Sequence, residues 1–223
     1  FTSINFTAGT LSTISSLVAA TPTNQKATTG YNFAATGATG VTGDRALGSS
    51  PTGTAGTILE LSMVNNTGDA ITNLQMSYDI DRFTTTTTNG TVASGSPNSG
   101  VEEFPGYQLF YNLTPSNAAT WVNVSSLNPT INAGTGGAIN VPNSVGVTSI
   151  SNAGVTLDSA WAAGSTIAFA WFDDNAEDSS PDQLIGLNNV SIAAVPEPSA
   201  GILGLVAMGV AFTLVRRRKQ RSA

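Results

Sequence analysis

The sequence predicts an all-β protein, an antiparallel β-sandwich with jelly-roll or related Greek-key connections, followed by a single short C-terminal transmembrane helix. Three observations lead to this prediction. Short segments alternate apolar and polar residues, and the connections between them are rich in Gly, Pro, Asn and Ser. Cysteine is absent, so the fold must be stabilised by a buried core rather than by disulfides.

The pattern divides the chain into four parts. Residues 1–194 are the predicted extracellular sandwich domain, and residues 195–198 hold a Pro-Glu-Pro motif. Residues 199–215 are the predicted transmembrane helix, and residues 216–223 form a basic cytoplasmic tail. The first part has the size of one large all-β domain.

The N-terminal region combines an alternating segment with a polar one. Residues 1–18 (FTSINFTAGTLSTISSLV) alternate in polarity and carry no charge, the pattern of a strand that can add to the sheet edge of a neighbouring molecule. Residues 19–43 are polar and glycine-rich, which predicts a long surface loop.

The clearest strand pair lies between residues 57 and 83. The segment TILELSMVN (57–65) places its apolar residues close to period two, and so does AITNLQMSYDIDRF (70–83). The intervening NTGD (66–69) is typical of a turn, so the sequence predicts a hairpin. Residues 84–100 then form a second predicted long loop.

Five further strands are predicted towards the C-terminus of the domain. They cover residues 107–112, 120–124, 145–150, 164–172 and 184–194. Many short strands at this spacing, separated by turn residues, are typical of a sandwich.

The tail has three parts in a fixed order. Pro196, Glu197 and Pro198 come first, followed by 17 uncharged residues (199–215), about 25 Å as a helix and near the lower limit for crossing a bilayer. Four consecutive bases follow, and positive charge next to a membrane segment is retained in the cytoplasm. These bases are Arg216, Arg217, Arg218 and Lys219.

This tail resembles the PEP-CTERM sorting signal of Gram-negative bacteria that make exopolysaccharide or biofilm. The resemblance implies that an exosortase-type membrane transpeptidase processes the chain near Pro-Glu-Pro. It further implies export, an inner-membrane intermediate, and then a place at the cell surface or in the extracellular matrix.

The body is similar to a group of exported bacterial β-sandwich proteins that carry such signals. The likeness rests on RALG (45–48), NNTG (65–68) and WFDD (171–174), each beside a predicted strand. A paired aspartate is expected in the closing strand, where this chain has Asn188 and Asn189. The resemblance supports the sandwich architecture.

Charge and composition exclude several classes of function. Residues 1–198 hold fourteen acidic residues against Lys26, Arg45 and Arg82, a formal charge of −11, which argues against nucleic-acid binding. The chain has no histidine or cysteine, so the common nucleophile–histidine sites are absent. The remaining arrangements are carboxylate pairs. Glu102 and Glu103 are adjacent, so they point to opposite faces of a strand, whereas Asp79 and Asp81 share a face that we expect to be the outer, solvated one. We therefore expect no catalytic activity.

A cluster of oxygen-bearing side chains follows residue 172. Calcium prefers several hard oxygen ligands on a flexible connection, so a calcium site is one interpretation. A solvated acidic turn that keeps the sheet edge soluble is the other. The candidate ligands are Asp173, Asp174, Asn175, Asp178 and Asp182.

Aromatic residues offer a second candidate site. Tyr107, Tyr111 and Trp121 either pack in the core or stack against sugar rings, and the pattern does not separate these alternatives. Trp171 alternates with Ile167 and Phe169, which favours core packing.

The sequence thus predicts a non-enzymatic exported surface or matrix protein. One alternative is a carbohydrate-binding module for exopolysaccharide, with or without calcium. The other alternative is a self-associating fibre subunit built through the N-terminal strand.

Overall fold

The structure is a computed structural model. It describes residues 2–7, 10–14, 17–20, 30–34, 43–50, 55–84, 106–130, 139–142, 144–173 and 183–196. Within these residues almost all regular structure is strand, which confirms the all-β prediction. The strands are β1 (Thr2–Thr7), β2 (Thr10–Ile14), β3 (Leu17–Ala20), β4 (Gly30–Ala34), β5 (Arg45–Ser49), β6 (Ala55–Val64), β7 (Ile71–Arg82), β8 (Gln108–Asn112), β9 (Val122–Asn123), β10 (Pro129–Thr130), β11 (Ile139–Asn140), β12 (Gly146–Trp161), β13 (Thr166–Asp173) and β14 (Ile185–Ala194).

The strands form two six-stranded sheets. The first sheet has the order β2-β1-β6-β13-β8-β9 and the second has the order β12-β7-β14-β5-β4-β3. Strands β10 and β11 form a small parallel pair, and two 3₁₀ turns, Ala118–Thr120 and Ser125–Leu127, flank β9. The subsets β6-β13-β8-β9 and β5-β14-β7-β12 have the strand order of a jelly roll, as predicted.

The core lies between the sheets. Alternate residues of β7 and β13 belong to the main core, as expected for strands that present one side to the interior. The ring of Tyr78 on the second sheet meets Trp171 on the first edge-to-face, at 5.9 Å between centroids. Trp171 is fully buried, which confirms the expected core role of this residue.

The predicted hairpin at residues 57–83 is wrong in one respect. Strands β6 and β7 exist at nearly the predicted positions, but they belong to opposite sheets. Strand β6 pairs with β1 and β13, whereas β7 pairs with β12 and β14. An amphipathic strand buries the same face in a hairpin or across a sandwich, so alternation alone does not select the partner.

The N-terminal region is more regular than predicted. Strand β1 pairs with β2 and with β6 of its own chain, with Ile4 opposite Ile58. Strand β4 lies inside the segment predicted as a loop, and β3 overlaps the start of that segment. Their parallel pairing extends the second sheet beyond β5. Strand β12 also continues well past residue 150, where the predicted strand ended.

A smaller apolar cluster covers the outer face of the second sheet. Ile185 and Leu187 of β14 point into the main core, so Gly186 between them faces outward. A Cβ at Gly186 would lie 2.6 Å from the Cβ of Ala46 and 3.2 Å from the ring of Phe83. The members of this cluster are Tyr31, Phe33, Ala46, Phe83 and Leu184.

Candidate functional site

The sorting tail leaves the sandwich at the end of β14. Val195 donates its backbone N–H to the carbonyl of Asn73 at 2.9 Å, which fixes the last residues of the domain to β7. Residues 197–223, with the predicted transmembrane helix and the basic cluster, lie outside the described residues. Within the described part of the chain, no helix is long and apolar enough to cross a membrane.

Three polar side chains meet inside the core at one end of the sandwich. The Ser49 hydroxyl lies 2.9 Å from the Tyr107 hydroxyl and donates to Oδ2 of Asp173. All three residues are fully buried. Burial, followed by the charge of Asp173, raises the pKa of Tyr107 well above its ordinary value, so Tyr107 stays a neutral phenol. The three side chains therefore form a buried hydrogen-bonded network at this end of the core.

The predicted calcium ligands fall at the edge of what the structure describes. Asp173 points into the core and is engaged by Ser49. Gln183, also fully buried, accepts a hydrogen bond from Nη1 of Arg82, so both ends of the segment 174–182 are anchored in the interior. Asp174, Asn175, Asp178 and Asp182 lie outside the described residues, and calcium at this loop stays a prediction.

The pair Asp79 and Asp81 belongs to a second polar cluster, on the outer face of the second sheet. Nδ2 of Asn188 donates to Oδ2 of Asp44 and to Oδ2 of Asp81, both at 3.2 Å. Nδ2 of Asn189 donates to Oδ2 of Asp79 at 2.7 Å. The two asparagines that depart from the expected paired aspartate therefore supply amide hydrogens to three carboxylates.

Asp81 is the exceptional member of this cluster. Its side chain faces outward from β7, as the sequence predicted, but it is fully buried instead of solvated. Burial, and then the nearby charges of Asp44 and Asp79, raise the pKa of Asp81 to about 6. Among the described residues no group of three or more acidic, His or Cys side chains has metal-binding geometry, so this cluster offers hydrogen bonds between amides and carboxylates.

A groove lies where the edges of the two sheets face one another. It has a volume of about 330 Å³, and its walls come from β8, from residues 122–126 and from residues 154–158 of β12. Tyr111 donates to Oδ1 of Asp158 at 2.9 Å and accepts from the Asp158 backbone N–H at 2.7 Å. These two contacts hold the exposed Asp158 against the groove wall.

The structure distinguishes between core packing and sugar contact for the three aromatic candidates Tyr107, Tyr111 and Trp121. Tyr107 is fully buried and Tyr111 is 3% exposed, so neither ring presents a face to a sugar. Trp121 alone is partly exposed. The rings pack inward because β8 lies beside the central strand β13 and its alternate residues face the core.

Asp158 is a functional candidate that the sequence interpretation missed. The alternation of Val155 and Leu157 with Thr156 and Asp158 is a local strand signal in the printed sequence. Its contact with Tyr111 joins residues 47 positions apart, and no local pattern indicates that pairing.

In the sequence, the last strand of the jelly roll is followed directly by the Pro-Glu-Pro motif. The chain carries a PEP-CTERM protein-sorting motif, matched over residues 194–219. This motif implies processing by an exosortase membrane enzyme and export to the cell surface through a membrane-anchored step. No curated protein and no solved structure matches the chain significantly.

Proposed function

We propose that this protein is a non-catalytic component of the cell surface or extracellular matrix, displayed there after exosortase processing. The observation that carries the proposal is the sorting motif at residues 194–219, directly behind the last strand of the sandwich. The buried polar network supports it, because the hydroxyls and the carboxylate at that end of the core have no access to a substrate.

The charge distribution also supports export of the sandwich domain out of the cytoplasm. The acidic residues all precede residue 199, whereas five bases follow the apolar segment. Positive charge that follows a short apolar segment is held on the cytoplasmic side, and the acidic domain is then placed outside.

Replacing the three arginines tests this proposal. The triple variant carries Arg216→Gln, Arg217→Gln and Arg218→Gln. The share of this variant in the membrane fraction relative to the medium should differ from that of the wild type, because the positive charge that holds the tail in the cytoplasm is weakened. The measurement is cell fractionation, with the intact mass of the protein from cells and from medium to locate any cleavage near Pro196.

The matched control replaces the same three arginines by lysine, which keeps the charge. That variant should be distributed like the wild type. An unchanged distribution and mass in the glutamine variant would contradict the proposed role of the tail.

A further inference from the structure

We propose that the groove between the sheet edges binds a neutral, hydroxyl-rich glycan chain. This inference rests on the proposed function, since a surface or matrix protein is placed among extracellular polysaccharides. Of the three aromatic candidates named from the sequence, Tyr111 lines this groove, where its hydroxyl holds Asp158.

The position of the groove suits an extended ligand. Strand β9 is the edge of the first sheet and β12 is the edge of the second, so the groove lies on an open side of the sandwich. Its volume of about 330 Å³ falls in the range of small-molecule sites.

The lining identifies the class of ligand. Among the described residues the lining contains one carboxylate, on Asp158, and no cationic side chain, so an anionic ligand would find no counter-charge there. The other polar side chains of this lining are neutral: the amide of Asn123 and the hydroxyls of Tyr111, Ser125, Ser126 and Thr156. Such groups both donate and accept, as sugar hydroxyls require.

Apolar side chains complete the lining. Val122, Val124, Val155 and Leu157 contribute to the walls beside these polar groups. A pyranose ring combines hydroxyl edges with C–H faces, so a mixed lining complements both parts of the sugar. A purely apolar ligand would leave Asp158 and the hydroxyls unpaired.

Tyr111 orients Asp158 for this role. The Tyr111 ring is buried, its hydroxyl donates to Oδ1 of Asp158, and burial raises the pKa of Tyr111, so the donor proton is retained at neutral pH. With Oδ1 engaged, Oδ2 of Asp158 has no hydrogen-bond partner within the described residues and accepts from a ligand hydroxyl. Hydrogen bonds to an ionised carboxylate are among the stronger ones.

Gly154 provides a way to block the groove without disturbing the core. It lies in the groove wall, and a Cβ added there meets no atom within 4 Å. Gly154→Trp should therefore obstruct the groove, while Ser151→Trp, at an exposed position of β12 outside the groove lining, serves as the matched control.

Affinity electrophoresis of the full-length protein, kept in solution with mild detergent, tests the inference. The native gels contain dextran, laminarin, galactomannan or the anionic polygalacturonate. Wild type and Ser151→Trp should both be retarded in at least one neutral gel and not by polygalacturonate alone. Gly154→Trp should lose this retardation, and Asp158→Asn should weaken binding about tenfold, the effect of one charge-assisted hydrogen bond.

Three results would overturn the inference. These are no retardation of the wild type in any neutral gel, retardation by polygalacturonate only, or equal retardation of wild type and Gly154→Trp. If thermal melting shows that Gly154→Trp does not fold, the Asp158→Asn variant is used instead, and retardation of this variant equal to that of the wild type would overturn the inference. Binding in gels does not depend on sorting. A negative result would therefore contradict glycan binding at the groove, whereas the proposed surface location is tested separately by cell fractionation.

Discussion

Gly48 shows how a single residue lets the smaller apolar cluster pack against the second sheet. It lies in β5 opposite Gly186, and a Cβ at this position would lie 2.1 Å from Cδ2 of Phe33. The aromatic ring therefore rests directly on the backbone of the second sheet. This close approach explains why glycine stands in a strand interior, where its conformational freedom is unfavourable.

Gly48→Ala should lower the free energy of unfolding by about 1–3 kcal/mol, because the added methyl group forces Phe33 out of its position. Denaturant titration followed by fluorescence or circular dichroism measures the change. Gly154→Ala is the control, since no atom opposes its methyl group. Equal stabilities of the two variants would show that Phe33 does not pack on residue 48.

Asp81 shows how neighbouring residues change the behaviour of one carboxyl group. Opposite Asp81 on the two flanking strands are Val147 and Gly186, which bring no charge, while Asp44 and Asp79 add negative charge nearby. The amide of Asn188 is its hydrogen-bond donor. The folded protein therefore binds a proton at Asp81 more tightly than the unfolded chain does.

This difference in proton affinity predicts how stability changes with pH. The pKa of Asp81 rises from 3.8 to about 6, so its stabilising contribution is complete below pH 3.8 and is lost as the pH rises through 6. Asp81→Asn, which resembles the protonated form, should exceed the wild type in stability by about 1–2 kcal/mol at pH 7.5 and by less at pH 5. Denaturant titrations at both pH values measure this difference.

Asp69→Asn is the control for this experiment, because it removes one exposed carboxylate from a turn outside the cluster. Its stability difference from the wild type should not follow the same pH dependence. If Asp81→Asn and the wild type differ by the same amount at pH 5 and pH 7.5, the carboxyl of Asp81 does not titrate in this range.

At the scale of elements, the connection between β6 and β7 defines the sandwich. Residues 65–70 carry the chain from the first sheet to the second. The side chain of Asn65 organises this crossing with four hydrogen bonds, to the carbonyls of Asp69 and Trp161 and from the backbone and hydroxyl of Thr67. Because Asn65 is buried, losing these hydrogen bonds costs free energy that water does not fully restore.

Asn65→Ala should therefore destabilise the protein by about 2–4 kcal/mol, since it leaves buried backbone groups without partners. Asn66→Ala, at the exposed neighbouring position, should change stability by less than about 0.5 kcal/mol. Thermal or denaturant unfolding compares the two. Similar losses in both variants would mean that the crossing does not depend on the Asn65 side chain.

At the scale of the whole molecule, the domain and the tail have opposite properties. The domain is a jelly roll and carries most of the negative charge, whereas the tail carries five bases. The tail begins where β14 ends, next to Asn73 on β7, so the sorting motif starts at a fixed point on the sandwich.

Much of this organisation follows from local patterns in the chain. The sorting tail is a contiguous order of Pro-Glu-Pro, apolar residues and bases, so it can be identified from the sequence alone. The strands of the domain were also predicted largely correctly, because alternation is a local property that selects which side of a strand is buried.

The tertiary structure decided which strands are neighbours and which polar residues are buried. Alternation placed β6 and β7 correctly but did not separate them into two sheets. It placed Asp81 on an outer face but did not show that Asn188, 107 residues away, covers it there. It gave no sign that Tyr111 and Asp158 meet across the groove. An amphipathic strand specifies a buried side and not a partner, and burial of a polar residue depends on what other segments place above it.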